Sequence, residues 1–438
     1  MGASDESSRR HLSYRSAHRA RSHESAHAEP AAARGASIVN PLVPPGAARV
    51  VAEPAQLAAL VEHLRTAGRF GYDSEFIGEL TYVPRLCVIQ VASAQQIALI
   101  DPLTGMDLRP FWELIADPAI EKIVHAGQQD LEPVVRHLKR APANVFDTQI
   151  AAGFVGLPYP LSLSKLVHEF TGVKLGKGLT FTHWDQRPLS DMQLRYAADD
   201  VRYLALVRLR LGERLEALGH AAWAAEECAN QCDPKLFEFN PEQQFQRVRG
   251  AGGLPARNLA VLRELTTWRD AAARHADVPP RAFLKDEVLL DLARNPIKSV
   301  EKLGRVKGLP RPVEAEHGGR IIELTGRALS LSDGQLPVPR DTEQSPLEKF
   351  RTDALWALAQ CLCAGQSIDP AAATNRQEVS EFYQHLTDEN SSSPHRLLTG
   401  WRRQAIGDPL AQMIRGTART ELSWPNGSLH SRVNRAGS

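Results

Sequence analysis

The sequence is poor in cysteine, has almost no net charge and contains no long apolar run. Its 438 residues include five cysteines, an odd number that does not suit the disulfide framework of a small secreted protein. The formal net charge is +1, so only local basic patches, and not the chain as a whole, would attract nucleic acid. No stretch approaches the roughly 18 apolar residues that would indicate a membrane-spanning helix.

These absences exclude a disulfide-rich secreted domain and a membrane protein. Nor does an apolar segment follow the N-terminal charges, as a signal peptide requires. We therefore expect a soluble protein of the reducing cytoplasm, with two or three domains. Cys228 and Cys232, together with Cys361 and Cys363, leave open a four-thiolate metal site, although neither pair has the spacing of a zinc knuckle.

Acidic residues recur in three segments that the sequence predicts to be ordered. The first runs from Arg69 to Phe76, a short alternating segment typical of a strand. Because side chains two apart in a strand point to the same face, Asp73 and Glu75 are predicted to lie together.

The second and third segments add two more carboxylates. Residues 121–125 are predicted to form a strand, and a turn at Ala126 and Gly127 leads into a helix that carries Asp130. Residues 190–193 match a capping box, which predicts the start of a long helix. On that helix Tyr196 and Asp200 are four residues apart and therefore share one face.

Four converging carboxylates are typical of a two-metal phosphodiesterase site. Mg²⁺ prefers oxygen ligands, and two ions about 4 Å apart can clamp the attacking and leaving oxygens of a phosphodiester. Tyr196 would orient the attacking water or help to deprotonate it. Any one of these acids alone would be read as an ordinary surface carboxylate or helix cap, and the hypothesis depends on all three segments together.

These segments resemble the motifs of the ribonuclease D family of DEDD exonucleases, in the branch with tyrosine in the third motif. The resemblance covers about residues 50–215 and includes the segments 82–86, 100–103 and 146–149. It implies a ribonuclease H-like fold and a 3′-to-5′ exoribonuclease that releases nucleoside 5′-monophosphates from RNA 3′ ends, tRNA precursors among them. It also implies two Mg²⁺ or Mn²⁺ ions, with ligands at four positions: Asp73, Glu75, Asp130 and Asp200.

Two further aspartates need assignment. Asp199 lies three residues after Tyr196 and could face the same way, but the motif spacing selects Asp200. Asp147 is predicted to be structural, as the cap of a helix that begins near Thr148.

The segment 174–189 is the predicted substrate loop, because lysines among glycines suit phosphate and aromatic faces stack on unpaired bases. Trp184 could equally anchor the loop in the core. Many relatives have an acidic residue where this chain has His183, which leaves the contacts of the loop open. The candidate substrate-binding residues are His125, Lys177, Phe181, Trp184 and Arg187.

The predicted fold class is an α/β domain, a mixed sheet flanked by helices, followed by all-α helical domains. The sequence after residue 255 resembles the helicase-and-RNase-D C-terminal (HRDC) domain. Residues 255–330 hold 14 Lys and Arg against 10 Asp and Glu, an excess that suits either RNA contact or a solvated helical face. The predicted division is a disordered tail at 1–36, the exonuclease domain at 45–232, a connector at 233–254, the HRDC domain at 255–332, a linker at 333–346, a second HRDC-like helical domain or an unrelated helical cap at 347–418, and a disordered tail at 419–438.

Two other functions remain compatible with the sequence. A DNA 3′-to-5′ exonuclease of the same superfamily would use the same carboxylates, and the sequence has no decisive reader of the 2′-hydroxyl. An inactive nucleic-acid-binding scaffold would rest on the helical C-terminal half, but it would have no need for four converging acids.

Overall fold

The computed structural model describes residues 40–176, 182–339, 345–388, 394–423 and 430–435. The tail predicted at 1–36 and two of the candidate substrate residues, Lys177 and Phe181, lie outside the described residues.

A mixed sheet forms the centre of the N-terminal half. Its strands are β1 Arg49–Val51, β2 Arg69–Ile77, β3 Arg85–Ala92, β4 Ile97–Ile100, β5 Glu121–Val124 and β6 Val145–Asp147. They lie in the order β1-β4-β3-β2-β5-β6. Strand β3 is antiparallel to both of its neighbours, while the other pairs are parallel. Strand β2, which carries the first acidic segment, is therefore central.

Helices cover both faces of this sheet. They are α1 Pro54–Ala67, α2 Arg109–Ala116, α3 Gln128–Leu138, α4 Thr148–Gly153, α5 Leu163–Thr171, α6 Asp191–Arg202, α7 Leu204–Leu218 and α8 Ala221–Asn230. On one face Phe70 and Tyr72 pack against Phe111 of α2. On the other face α6 packs across β2, β3 and β4. The mixed sheet flanked by helices is thus confirmed.

The next five helices, the first of which lies within the predicted connector 233–254, build a separate core. They are α9 Pro241–Gln244, α10 Ala256–His275, α11 Pro280–Phe283, α12 Asp286–Arg294 and α13 Arg311–Leu329. Leu265 of α10, Leu289 of α12 and Ile321 of α13 are all fully buried in one apolar cluster. The helical character predicted beyond residue 255 follows from this spacing of apolar residues. We refer to α10–α13 as the HRDC helices.

The last helices pack against the N-terminal half of the chain as well as against one another. They are α14 Pro346–Ala364, α15 Pro370–Ala373, α16 Arg376–Thr387, α17 Gly400–Arg402 and α18 Asp408–Ile414. Their buried side chains Leu362, Trp401 and Ile406 share one apolar cluster with Phe154 and Val207 of the N-terminal half. This shared core favours a helical cap on the exonuclease part, and the choice between such a cap and a second HRDC-like domain stays a prediction.

The disordered tail predicted for 419–438 is wrong in its described part. Strands β7 Ala418–Ser423 and β8 His430–Arg435 form an antiparallel pair. Thr420 Oγ1 lies 2.7 Å from the sulfur of Met413 in α18, which ties β7 to the helix before it. Local composition did not reveal this pairing, since its polar residues are typical of a frayed end.

Where the chain is described, none of its helices combines the length and the apolar character that crossing a membrane demands.

Candidate active site

Three acids from two motifs converge at the centre of the sheet. Asp73, Glu75 and Asp200 each offer a carboxylate oxygen, and these oxygens all lie within 4.8 Å of one another. Asp73 and Glu75 are two residues apart on β2 and share a face. Asp200 comes from α6, which packs on that face.

Helix α6 begins and crosses the sheet for reasons that are local. Ser190 accepts from the backbone of Gln193, whose side chain returns to the Ser190 backbone, so the predicted capping box is confirmed. At the other end of the helix, a Cβ on Gly71 of β2 would lie 3.0 Å from the Val201 carbonyl oxygen. Glycine at position 71 therefore lets α6 approach β2 closely enough to bring Asp200 to Asp73.

Asp130 joins the group through the opposite side of β2. It lies in the first turn of α3 and is buried. Ser74 Oγ donates a short hydrogen bond to its carboxylate, and Tyr72 donates to its backbone carbonyl at 2.6 Å. Burial raises the pKa of the Asp130 carboxyl, and the negative charge of nearby Asp73 raises it further. The fourth predicted ligand thus lies next to the three that converge.

The turn before α3 has a constrained backbone. Ala126 has a φ of 56°, in the left-handed region that non-glycine residues rarely adopt. The carboxylate of Asp147 accepts from the backbone N–H groups of Ala126 and Gly127 at 3.0 and 3.1 Å, and from that of Gln149 at 2.8 Å. Asp147 is therefore the predicted cap of α4, and it also fixes the turn that presents Asp130. Sequence reasoning missed this second role.

The electrostatics of the cluster fit a divalent cation. Burial and the negative charges of Asp73, Asp200 and Asp130 raise the pKa of Glu75 to about 9. Burial and Asp73 raise the pKa of Asp200 to about 8, and burial raises that of Asp73 to about 6. Half-buried acids that repel one another this strongly form the donor set that Mg²⁺ and similar hard cations prefer. The residues present therefore fit the divalent ions that the family uses.

Asp199 and Asp200, the two adjacent aspartates after Tyr196, make different contacts. A hydrogen bond from the Tyr196 hydroxyl opposes the rise in the pKa of Asp200. Burial and the acids raise the pKa of Tyr196 far above its usual range, so the phenol is protonated at neutral pH. Asp199 instead pairs with Arg202 at 3.0 Å. Asp200, which the motif spacing selects, is the aspartate that lies in the cluster, and its role as a ligand stays a prediction.

A cleft of about 560 Å³ opens beside Tyr196 and Asp200. Apolar side chains line part of the cleft, and the charged side chain of Arg195 lies beside them. Apart from Tyr196 and Asp200, sequence analysis indicated only the part of this lining that lies in the predicted substrate loop 174–189, and the rest comes from α5 and α6. The lining residues include Leu163, Leu175, Met192 and Arg195.

Three of the candidate substrate residues have structural contacts instead. Trp184 is 4% exposed and packs near Tyr196, with ring centres 6.1 Å apart, so no free face is left to stack on a base. Arg187 is held by Asp101 at 2.6 and 2.7 Å and by the Cys87 carbonyl at 2.7 Å. The burial of Trp184 favours the core-anchor alternative over the base-stacking role.

His125 has a similar place. Its Nδ1 lies 2.9 Å from Thr148 Oγ1, and that hydroxyl donates to the Val124 carbonyl. Burial lowers the pKa of the imidazole, which is therefore neutral at neutral pH. His125 links β5 to α4 and supports the second motif.

Comparison with known proteins agrees with this geometry. Residues 48–216 match the 3′-5′ exonuclease family, and residues 258–325 match the HRDC domain. Ribonuclease D of Gluconacetobacter diazotrophicus is 36% identical over 354 residues, which cover 80% of this chain and 89% of the relative. Ribonuclease D of Granulibacter bethesdensis is 35% identical, over 83% and 91% of the two chains.

A solved structure extends the similarity to the whole fold. The crystal structure of Escherichia coli RNase D, described as an exoribonuclease involved in structured RNA processing, is 29% identical with a TM-score of 0.74. The match covers 84% of this chain and 99% of that one. From its motifs, its fold and these relatives, the chain belongs to the ribonuclease D family.

Proposed function

We propose that the chain, a 3′-to-5′ exoribonuclease by its family, removes nucleotides one at a time from RNA 3′ ends and releases nucleoside 5′-monophosphates. The observation that carries the proposal is the convergence of Asp73, Glu75 and Asp200 within 4.8 Å. Asp130 lies beside them, on a turn that Asp147 fixes. A group of acids this concentrated costs stability and is explained by catalysis better than by folding.

Asp73, Glu75, Asp130 and Asp200 would hold two divalent cations, Mg²⁺ or Mn²⁺. Bound there, such ions lower the pKa of water and neutralise the charge on the leaving 3′ oxygen. The chain's own residues supply the geometry. Strand β2 and helix α6 fix three carboxylates on one face, and Ser74 fixes the fourth.

Tyr196 orients the water and does not act as its base. Its raised pKa keeps the hydroxyl protonated, so that hydroxyl donates to Asp200 while its lone pairs remain available to a water. A water that is already held in its reactive geometry removes much of the entropic cost of the displacement, which lowers the activation barrier.

The cleft beside Tyr196 would receive the terminal nucleotide. Leu163, Leu175 and Met192 offer apolar contact to a base, and the Arg195 side chain lies at the same opening to meet a phosphate. None of these contacts selects one base, which suits an enzyme that degrades a strand irrespective of its sequence.

The natural substrates proposed are tRNA precursors and other stable RNAs that need 3′ trimming. The E. coli relative is described as an enzyme of structured RNA processing, which supports this choice.

The compartment proposed is the cytoplasm. The five cysteines are free, as expected of a protein that works there.

The test uses purified protein with a 5′-labelled tRNA carrying a 3′ extension and a DNA strand of the same sequence. We expect a ladder that shortens from the RNA 3′ end with Mg²⁺ or Mn²⁺ and stops with chelator. The Asp130→Asn variant should give no ladder. Faster loss of the DNA would assign the chain to the DNA exonucleases, and binding without cleavage would make it a scaffold.

A further inference from the structure

Gln90 occupies an unusual position in the sheet. It lies on β3 directly opposite Asp73 of β2, in a regular antiparallel pair. On its other side it faces Leu99 of β4. The side chain is fully buried. Residues that face each other in such a pair project to the same side of the sheet, so Gln90 shares the face of Asp73 and Glu75.

The surroundings of Gln90 on this face are otherwise apolar. Val88 and Leu99 pack there against Ala197 of α6. Among the described residues, neither the Oε1 nor the Nε2 atom of Gln90 has a hydrogen-bond partner. A buried amide without partners is destabilising, and an apolar side chain of the same size would suit the packing better. Packing alone therefore does not account for glutamine at this position.

We propose that Gln90 is a positioning residue for Asp73: its side-chain N–H₂ group, which has no partner in the part of the chain that the structure describes, becomes a hydrogen-bond donor to the Asp73 carboxylate when a divalent cation is bound and so orients that carboxylate toward the cation. Facing Cβ atoms in an antiparallel pair lie about 4.5–5.5 Å apart, a distance that the length of glutamine spans. Carboxylate ligands of metals are themselves usually hydrogen-bonded, and loss of such a partner weakens metal binding by about 10–100-fold. The inference rests on the proposed function, since it takes Asp73 to be a cation ligand.

The test is Gln90→Met, which keeps the length and removes both polar atoms. Mn²⁺ binding is measured by calorimetry without RNA, and the melting temperature is measured in chelator. We expect the Mn²⁺ dissociation constant to rise about 10–100-fold. The melting temperature in chelator should stay the same or rise, because a buried amide has been replaced by an apolar side chain. Gln90→Leu should give the same two results, and it replaces the methionine variant if that variant does not fold.

A matched control comes from the HRDC helices. Thr266 of α10 is also buried, and its hydroxyl likewise has no partner among the described residues. Thr266→Val removes that polar atom far from the acids in sequence and should leave Mn²⁺ affinity unchanged.

The outcomes separate the two proposals. If Mn²⁺ affinity is equal in wild type and Gln90→Met, the role of Gln90 is refuted, and a lowered melting temperature in chelator would make it a residue of the fold. If the wild type itself binds no Mn²⁺, or Asp73→Asn binds it as tightly as wild type, the cation site and the inference fail together.

Discussion

The Tyr82 hydroxyl donates a 2.7 Å hydrogen bond to the carboxylate of Asp270 and so connects the exonuclease part of the chain with helix α10. Arg274, one turn later, donates to the same hydroxyl at 2.8 Å and lies over the Tyr82 ring. The Tyr82 backbone N–H donates to Asp277. Tyr82 lies in the loop after β2, so the HRDC helices are fixed beside the strand that carries Asp73.

We expect Tyr82→Phe to lower the free energy of unfolding by about 1.5–3 kcal/mol, the usual contribution of a hydrogen bond to a charged group. Urea unfolding measures it. Tyr383→Phe is the control, because Arg351 lies over that ring in the same way while the hydroxyl has no hydrogen bond among the described residues. Equal effects of the two substitutions would rule out a specific contribution from the Tyr82–Asp270 bond.

Asp200→Asn is expected to reduce the exonuclease rate by at least about 10³-fold, which is about 4 kcal/mol of lost transition-state stabilisation. Its neighbour supplies the control. Asp199 pairs with Arg202 and is not in the group of converging carboxylates, so Asp199→Asn should stay within a few-fold of wild type. Single-turnover cleavage of labelled RNA compares the two. Similar losses in both variants would contradict the assignment of Asp200.

The three motifs could be found from the sequence because strand and helix periods fix which side chains share a face. Asp73 and Glu75 are two apart on a strand, and a capping box marks the start of the helix that carries Asp200. Local rules therefore sufficed for the acids. They did not suffice for Trp184 or Arg187, whose partners lie in β3, in β4 and at Asp101 just after β4, and depend on how the loop packs.

The sequence predicts the helices of the cap but not the surface on which they pack, for the same reason. Phe154 and Trp401 are in edge-to-face contact, with ring centres 4.6 Å apart, yet almost 250 positions separate them. No local pattern encodes a contact of that range. The β-bulge at Glu75 and Phe76 also has no sequence signature, although bulges commonly re-aim side chains beside active sites.

The pH dependence of stability should report the burial of Glu75 and the repulsion within the cluster, which together raise the pKa of that carboxyl. The pKa of Glu75 in the folded chain is about 9, above the ordinary value for glutamate. A carboxyl with a raised folded pKa contributes stability that is present below its unfolded pKa and is lost as the pH rises through the folded pKa.

In chelator, wild type should therefore lose stability between about pH 5 and pH 9 relative to Glu75→Gln, which cannot ionise. Melting temperatures at pH 5, 7 and 9 give the comparison. Mg²⁺ should reverse the difference, since it stabilises only the chain that retains the ligand. Parallel melting curves for the two proteins across this range would refute the repulsion.

Tyr196→Phe should lower kcat about 10–100-fold, less than the 10²–10⁴-fold typical of a lost general base. The phenol orients water through its hydroxyl, and the ring that packs near Trp184 is retained. Mn²⁺ affinity should change little, because the carboxylates remain. A pH–rate profile that loses a basic limb in the variant would instead assign proton transfer to Tyr196.

Removal of residues 345–438 should unfold the exonuclease part, which we do not expect to remain folded without the cap. The cap is joined to α8 by a buried ion pair, in which Arg402 contacts both oxygens of Glu227 at 2.6 Å, and the Trp401 indole donates to the same carboxylate at 2.9 Å. Truncation removes these partners and exposes the Glu227 carboxylate to water, so α8 loses the contacts that hold it against the cap.

The same truncation uncovers Phe154 and the other apolar residues that share a core with Trp401, and each large apolar side chain that loses its burial costs about 1.5–3 kcal/mol. Several such losses together match the whole stability of an ordinary domain, about 5–15 kcal/mol. Glu227→Gln in the full chain is the milder control and should melt lower but cooperatively. A truncated chain that stays monomeric and unfolds in one sharp transition would show that the cap is dispensable, because the sheet would then be stable without the core that it shares with Trp401.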